Sequence, residues 1–323
     1  MKQIACFSLV VFVTALLAAA SPSEPPKQAI ESIDAAGLLE HIKVLGSDKF
    51  EGRAPGTGGE NLSVEYSTGQ FKKLGLKPGN PNGTYIQEVP MAGILSTPTA
   101  AFTVGDKKME LASPNDFVAF TQRITPEIEV KGSDVIFVGY GVVAPEYGWD
   151  DYKGVDVKGK TLVFLINDPP IPDPKNPAQL EPKMFKGKAM TYYGRWSYKY
   201  EIAAQKGAAA AVIVHETIPA AYPWSVVENS NAKENFVIDA PDKNMTTVAV
   251  RSWITLETTK KLFAAAGKNF EALKKSALSK DFKPVSLGGT ANFTIQNKIH
   301  EFKSHNVVAK IEGRDPAKKN EFV

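Results

Sequence analysis

Histidines are the residues of this 323-residue chain whose spacing comes closest to a catalytic motif. His300 and His305 flank a Glu-Phe-Lys-Ser segment, but a helical zinc-protease site needs histidines four residues apart with a glutamate beside them. A separation of five places the two rings about 140° apart around a helix, and on opposite faces of a strand. We therefore predict no metal ligand here, and we interpret the lone histidines His41 and His215 as packed or solvent-facing.

The sequence also has no convincing motif for a catalytic nucleophile or for nucleotide binding. The sequence has no Gly-x-Ser-x-Gly elbow, no His-x-Asp and no adjacent pair of glutamates, and its one cysteine is Cys6. Residues 154–161 match the phosphate-loop pattern letter for letter. That loop binds phosphate because it opens a helix, whereas the residues from Thr161 onward have the composition of a buried strand. The residues by themselves assign no catalytic group.

Aromatic and cationic residues are concentrated in two stretches that could bind a ligand. Residues 192–200 contain five aromatic residues in nine positions, and residues 220–225 contain a further tyrosine and tryptophan. Rigid rings supply contact area and cations bind carboxylates; the alternative is that the rings anchor the proline-rich segment before them. The candidates for facing a substrate are Tyr192, Tyr193, Arg195, Trp196, Tyr222 and Trp224.

Arg53 is a further candidate, in a glycine-rich loop over residues 51–59. A lone arginine beside such backbone could pair with a substrate carboxylate. The alternative is that it pairs with an internal aspartate or glutamate and only holds the loop in place. Helices are predicted on either side of the loop, over 31–45 and 60–74, and Gly75 suits the left-handed position after the second.

Three apolar, β-branched runs predict strands buried on both faces, at 134–143, 161–166 and 208–214. A predicted helix over 197–206 precedes the third, and this order implies a parallel pair joined by a crossover. Residues 167–192 contain six prolines, and a loop of that length is usually functional or disordered. Further elements are strands at 84–91, 101–111, 291–295 and 306–311, and a helix at 256–266.

The composition is that of an ordinary globular protein, with 43% apolar residues and a net charge of +3. The length of 323 residues is enough for two domains. The basic pairs at 72–73 and 318–319 are too short for a nucleic-acid surface, so no nucleic acid is predicted as a partner. Residues 1–20 have a basic start, an apolar stretch and a small-residue end, which predict a signal peptide and export to the periplasm or outside the cell. The alternative is an uncleaved anchor. No later stretch could span a membrane, and cleavage would remove Cys6, leaving no disulfide.

Several motifs together resemble a known family. Residues 51–57 (Glu-Gly-Arg-Ala-Pro-Gly-Thr), 75–78 (Gly-Leu-Lys-Pro) and 304–316 (Ser-His-Asn-Val-Val-Ala-Lys-Ile-Glu-Gly-Arg-Asp-Pro) resemble the N-terminal part of the di-zinc aminopeptidases, the twenty-eighth metallopeptidase family. Segments at 134–151, 194–201 and 215–227 resemble the protease-associated domain inserted in exported members. The resemblance covers almost everything after residue 30.

The fold that this resemblance implies is α/β, with a β-rich protease-associated domain inserted into an incomplete zinc-aminopeptidase-like α/β domain. Residues 1–20 would be the signal peptide and 21–131 the N-terminal segment of the peptidase domain. The inserted domain would occupy 132–254, and 255–323 would return into the truncated peptidase domain.

The function that the resemblance implies is that of the N-terminal portion of an exported zinc-dependent aminopeptidase acting on peptides or proteins. In a full-length relative, two zinc ions activate a water that attacks the first peptide bond. The family's first ligand lies just beyond a segment like residues 320–323, so the resemblance implies a missing C-terminal catalytic segment, with no metal ligand, catalytic residue or cofactor in this chain. The alternatives are a non-catalytic exported module that binds peptides or proteins, and an exported structural or receptor-like protein.

Overall fold

The computed structural model describes residues 27–313, 315–318 and 321. The predicted signal peptide, including Cys6, lies outside these residues. The chain divides into two compact units, one ending at Tyr66 and the other beginning at Ser67. Among the described residues, no helix has both the length and the apolar character that crossing a bilayer requires.

The first unit is helical. Helices α1 (Lys27–Glu31) and α2 (Ala35–Leu45) precede a 3-10 turn at Asp48–Phe50, and α3 (Gly58–Lys73) begins here and continues into the second unit. The predicted helix over 31–45 is interrupted before Ala35 because Asp34 caps α2. Its carboxylate accepts a hydrogen bond from the backbone N–H of Gly37 at 2.8 Å.

Glycines set both ends of α3. The helix starts at Gly58, two residues before the predicted start, and Gly59 in its first turn has no room for a side chain, because a Cβ there would lie 1.9 Å from the carbonyl oxygen of Phe50. At the other end Gly75 has a φ of +70°, and the N–H of Leu76 donates to the carbonyl of Phe71 at 3.0 Å. The predicted left-handed glycine cap is therefore confirmed.

The second unit contains a large mixed β-sheet, so the chain is a mixed α/β protein as predicted. Its strands are β1 (Lys77–Pro78), β2 (Ile86–Val104), β3 (Lys107–Leu111), β4 (Phe117–Phe120), β5 (Glu127–Phe137), β6 (Val143–Ala144), β7 (Trp149–Asp150), β8 (Thr161–Leu165), β9 (Ala210–His215), β10 (Asn235–Ile238), β11 (Val250–Thr255), β12 (Val285–Val307) and β13 (Ala309–Lys310). Its remaining helices are α4 (Trp196–Gln205), α5 (Thr217–Ala220), α6 (Trp224–Asn231), α7 (Leu256–Ala265) and α8 (Phe270–Ser276). Within the described residues, nine strands form the large sheet in the order β10-β2-β12-β5-β8-β9-β11-β4, with β3 also paired to β2.

Four neighbouring strands of this sheet, β5, β8, β9 and β11, run parallel. Strands β8 and β9 correspond to the predictions at 161–166 and 208–214, and α4 lies between them in the chain, which confirms the predicted crossover. Every residue of both strands is buried. Because Thr161 begins a strand and not a helix, the phosphate-loop match at 154–161 has no helix terminus to receive an anion.

Two predicted strands are wrong in extent because glycines end them. The run 134–143 is a strand only as far as Phe137, since Gly139 and Gly141 have φ values of +58° and +62°, a conformation that leaves the sheet. The predicted strand 101–111 is divided by a turn at Gly105 into β2 and β3. Two other strands, predicted as separate, are continuous: residues 291–295 and residues 306–307 both belong to β12.

The longest strands are β2, of 19 residues, and β12, of 23, and they pair antiparallel from Gly289 to Val307 of β12. Strand β12 also pairs with β5, and so connects this ribbon to the parallel strands. Aromatic rings pack across the sheet: Phe102 meets Phe293 with ring centroids 6.0 Å apart, and Phe137 meets Phe263 of α7 at 5.3 Å. Residues 131 and 254 are the predicted limits between the peptidase segments and the inserted domain. Strands on both sides of each limit therefore share one sheet.

Limited digestion with trypsin should cut first in the loop after β8, near the exposed Lys175, and should spare the sheet. The cut halves should remain associated on a sizing column, because β8 and β9 on either side of the loop are hydrogen-bonded neighbours. Mass spectrometry of the resistant core then tests the domain limits. A core confined to 132–254 would support the predicted insertion boundaries, whereas a core spanning about 86–307 would favour a unit defined by the sheet.

Candidate functional site

The loops that follow β8 and β9 meet at the carboxyl ends of the parallel strands. Residues 166–195 follow β8 and residues 216–223 follow β9. Six of the seven predicted substrate-facing residues lie in these loops or at the first positions of α4 and α6, and Arg53 is the exception. Ligands of open α/β sheets bind at this end of the strands. We therefore take it as the candidate site.

A buried lysine, Lys199 of α4, lies at the centre of these loops. Its side chain is fully buried, and its ammonium donates to the carbonyl oxygens of Tyr140 at 2.7 Å, Tyr193 at 2.8 Å and Asn167 at 3.2 Å. These carbonyls belong to the loops after β5 and β8 and to the turn before α4. An ammonium has three N–H donors, so all of them find a partner.

Two buried carboxylates stabilise the charge of Lys199. Burial lowers the pKa of the Lys199 ammonium to about 7, although Asp151 and Asp168 oppose the shift. Burial also raises the pKa of Asp151 to about 6, against hydrogen bonds that it accepts from the N–H of Val142 and the indole of Trp149. The Asp168 carboxylate accepts from the backbone N–H and the hydroxyl of Thr191, each at 2.7 Å. Lysine and carboxylates together hold the loops in one arrangement.

Asn167 links the two loops directly. It has a left-handed backbone, with a φ of +75°, and its amide group donates to the carbonyl of Pro219 at 3.1 Å. Gly194 packs closely against it, because a Cβ there would lie 3.0 Å from the amide oxygen of Asn167 and 2.9 Å from the N–H nitrogen of Asp168. A larger residue would push α4 away from the loop after β8.

The proline-rich loop is fixed by an aromatic anchor. Phe185 is buried, and its ring lies 4.7 Å from Tyr147, 5.5 Å from Trp149 and 6.3 Å from Tyr193 between centroids. Tyr193 also donates its hydroxyl to Glu146 at 2.8 Å, and burial followed by this hydrogen bond raises its pKa to about 12. In this structure Tyr193 therefore contributes to packing of the loop.

Trp196 and Tyr222 come together from the two loops. They line a cavity of about 330 Å³, with Trp253 of β11 and Val227 of α6, and also a smaller one of about 210 Å³ that includes Arg195. The ring of Trp196 rests edge-on against Tyr200 at 6.0 Å, and its side chain remains 45% exposed. We call these two adjoining cavities, with Trp196 and Tyr222 common to both, the aromatic groove.

The other predicted residues have internal partners. Tyr192 donates its hydroxyl to Glu201, which raises the tyrosine pKa. Trp224 donates its indole N–H to the carbonyl of Pro114 at 3.1 Å, and its ring packs against His215. In the first unit, the Arg53 guanidinium donates to the carbonyl of Leu45.

Several residues of the aromatic groove are not among the predicted ones. Trp253 belongs to a fully buried part of β11, where its sequence context indicates only a core strand. Asn231 and Asn235 lie at the end of α6 and the start of β10, and contribute amide groups to the larger cavity. The sequence alone hardly indicates these two residues as part of a site, because asparagine is common in the turns at helix ends. Only the pairing of β9 with β11 brings Trp253 beside the loop that carries Tyr222.

The histidines do not form a shared metal site. His300 and His305 both lie in β12, where an odd separation puts them on opposite faces, and His300 approaches Glu234 at 3.0 Å. His215 is buried, its ring nitrogen contacts the carbonyl of Tyr222 at 3.0 Å, and burial lowers its pKa. Among the described residues there is no group of three or more His, Cys, Asp or Glu placed to hold a metal ion.

No protein-family model matches this chain, and no curated protein matches it at a significant level of similarity.

Replacing Lys199 with methionine should lower the free energy of unfolding by about 3 kcal/mol or more, since three buried carbonyls lose their donor. The effect should also depend on pH. Because the folded pKa is about 7 and the unfolded one about 10.5, the unfolded state binds more protons between these values. The stability of the wild type should therefore rise with pH above 7 relative to the methionine variant, by up to about 1.4 kcal/mol per pH unit. Urea unfolding at pH 7, 8 and 9 measures this difference.

Lys206→Met, at the exposed residue that follows α4, is the matched control; its ammonium lies 4.9 Å from the centroid of the Tyr152 ring, and losing this contact should change stability by at most about 1 kcal/mol. Lys199 helps to lower the pKa of Asp151, which is about 6 in the wild type, so the methionine variant should raise it, and the slope between pH 8 and 9 is the part of the curve that reports Lys199 itself. A stability difference that stays flat between pH 7 and 9 would show that the three carbonyls keep Lys199 charged and that its pKa is not lowered.

Proposed function

We propose that this chain is the N-terminal portion of an exported zinc-dependent aminopeptidase, and that its aromatic groove is a surface over which peptide substrates pass. The observation that carries the proposal is the meeting of Trp196 and Tyr222 at the carboxyl ends of β8 and β9. The family part of the proposal rests on the sequence resemblance, and the peptide part rests on the chemistry of the groove.

The larger cavity of the groove suits an extended peptide. Its walls are aromatic and aliphatic, from Trp196, Tyr222, Trp253 and Val227, and rings of this kind bind side chains by burial of apolar area. The amide group of Asn235 at its edge can donate to and accept from a peptide backbone. A predominantly apolar site with a few polar groups is the usual form of a ligand pocket.

The hydrolytic step is assigned to no residue of this chain. The described residues offer no cluster that fits a zinc ion, and the resemblance places the two zinc ions on a segment beyond residue 323. What the described residues do is position a groove, and the groove alone is equally suited to the non-catalytic binding module.

The test uses the product of the complete gene, read past the codon for Val323. Trp196→Ala should raise KM for a peptide of eight or more residues by about 10-fold and leave a single-residue amide substrate unaffected, because only the longer substrate reaches the groove. One lost aromatic contact of about 1.4 kcal/mol gives this factor. The melting temperature should fall by only a few degrees, since Trp196 is 45% exposed and packs edge-on against Tyr200.

Trp224→Ala is the matched control, because this tryptophan packs on His215 and donates to Pro114. It should lower the melting temperature and reduce activity on both substrates alike. Equal losses for Trp196→Ala on both substrates would contradict a role of the groove in substrate binding. Peptide binding without hydrolysis by the complete product would support the binding module instead, and absence of both would remove the proposal.

A further inference from the structure

The two cavities of the aromatic groove differ in charge. Among the described residues that line them, the larger cavity has no ionisable acid or base apart from the Tyr222 phenol, whose pKa burial raises. The smaller cavity is lined by Arg195 together with the apolar Ile166, Met190 and Ala220. One end of the groove therefore offers apolar, hydroxyl and amide groups, and the adjoining end is bordered by the cationic Arg195.

The guanidinium of Arg195 is available for a ligand. The side chain is exposed, makes no capping hydrogen bond at the start of α4, and has no described carboxylate within ion-pair distance. The nearby Glu201 instead accepts the hydroxyl of Tyr192. Arginine binds a carboxylate through two parallel hydrogen bonds, which a neutral amide cannot reproduce.

We propose that the aromatic groove selects peptides in which a large apolar or aromatic residue adjoins an aspartate or glutamate. The apolar side chain enters the cavity between Trp196, Tyr222 and Trp253, and the carboxylate pairs with Arg195. Arg195 is exposed at the border of the smaller cavity, which leaves room for a chain to continue past it, so we assign the carboxylate to a side chain rather than to the end of the peptide. The inference rests on the proposed function, and it adds the class of peptide bound.

Binding of short peptides to the 323-residue chain tests this inference, with isothermal titration calorimetry as the measurement. The reference peptide is acetyl-Gly-Ser-Phe-Asp-Gly-Ser-amide, with both ends blocked so that the aspartate is its one charge. Replacing Asp by Asn in the peptide should weaken binding about three-fold to five-fold, as for a partly exposed ion pair. Replacing Phe by Ala should weaken it at least 10-fold, because the larger cavity loses its occupant.

Variants of the protein assign the two effects. Arg195→Gln should abolish the preference for Asp over Asn and leave the affinity for the Asn peptide unchanged, and Arg195→Glu should reverse the preference toward a Phe-Lys peptide. Trp196→Ala should weaken binding of both the Asp and the Asn peptides about 10-fold. Lys268→Gln, at an exposed lysine after α7, is the control and should change none of these values.

The outcomes separate this inference from the function on which it rests. If peptides bind through Trp196 but Asp and Asn peptides bind equally, the groove binds peptides and the acidic preference is wrong. If acetyl-Gly-Ser-Phe with a free C-terminal carboxylate binds and the blocked Phe-Asp peptide does not, the source of the carboxylate is wrong. If no peptide of the set binds at all, both the acidic preference and the peptide-binding role are wrong.

Discussion

The loops at the candidate-site end of the sheet depend on the ammonium of Lys199. Three backbone carbonyls, from the loops after β5 and β8 and from the turn before α4, converge on one buried cation. Loops of this kind cannot pair with one another as strands do, and a buried carbonyl without a donor costs free energy. A single side chain with three donors satisfies all three groups at once, so the loops are fixed relative to one another without a regular element between them.

The position of Lys199 also determines what α4 presents to the groove. Trp196 lies one turn earlier on the helix, and its ring rests on Tyr200, which in turn lies beside the buried Arg251 with the guanidinium carbon 5.2 Å from the ring centroid. A helix anchored at its first turn cannot rotate without breaking the bonds to the carbonyls. The half-exposed indole is therefore held in place before any ligand arrives, which lowers the entropy that binding must overcome.

Much of the central architecture could be predicted from local sequence, because the buried strands β8 and β9 and the helix between them have unambiguous composition and period. The strand over 134–143 could not be delimited, since a β-branched run does not reveal that Gly139 and Gly141 have positive φ. Nor could the pairing of β2 with β12 be foreseen, because its partners are about 200 residues apart in the chain. Such pairings depend on the whole fold and leave no periodic signal in either segment.

The candidate site shows the same division between what composition reveals and what the fold decides. Trp196 and Trp224 come from similar aromatic stretches, and both begin a helix at the same end of the sheet. One indole N–H meets the carbonyl of Pro114, more than a hundred residues earlier, and becomes a packing group, whereas the other ring faces a cavity. Arg53 also donates to a backbone carbonyl, that of Leu45. Backbone carbonyls accept from any donor that reaches them, and their positions are a property of the fold. A sequence can therefore nominate aromatic and cationic residues for a surface, but which of them remain available to a ligand depends on where those carbonyls lie.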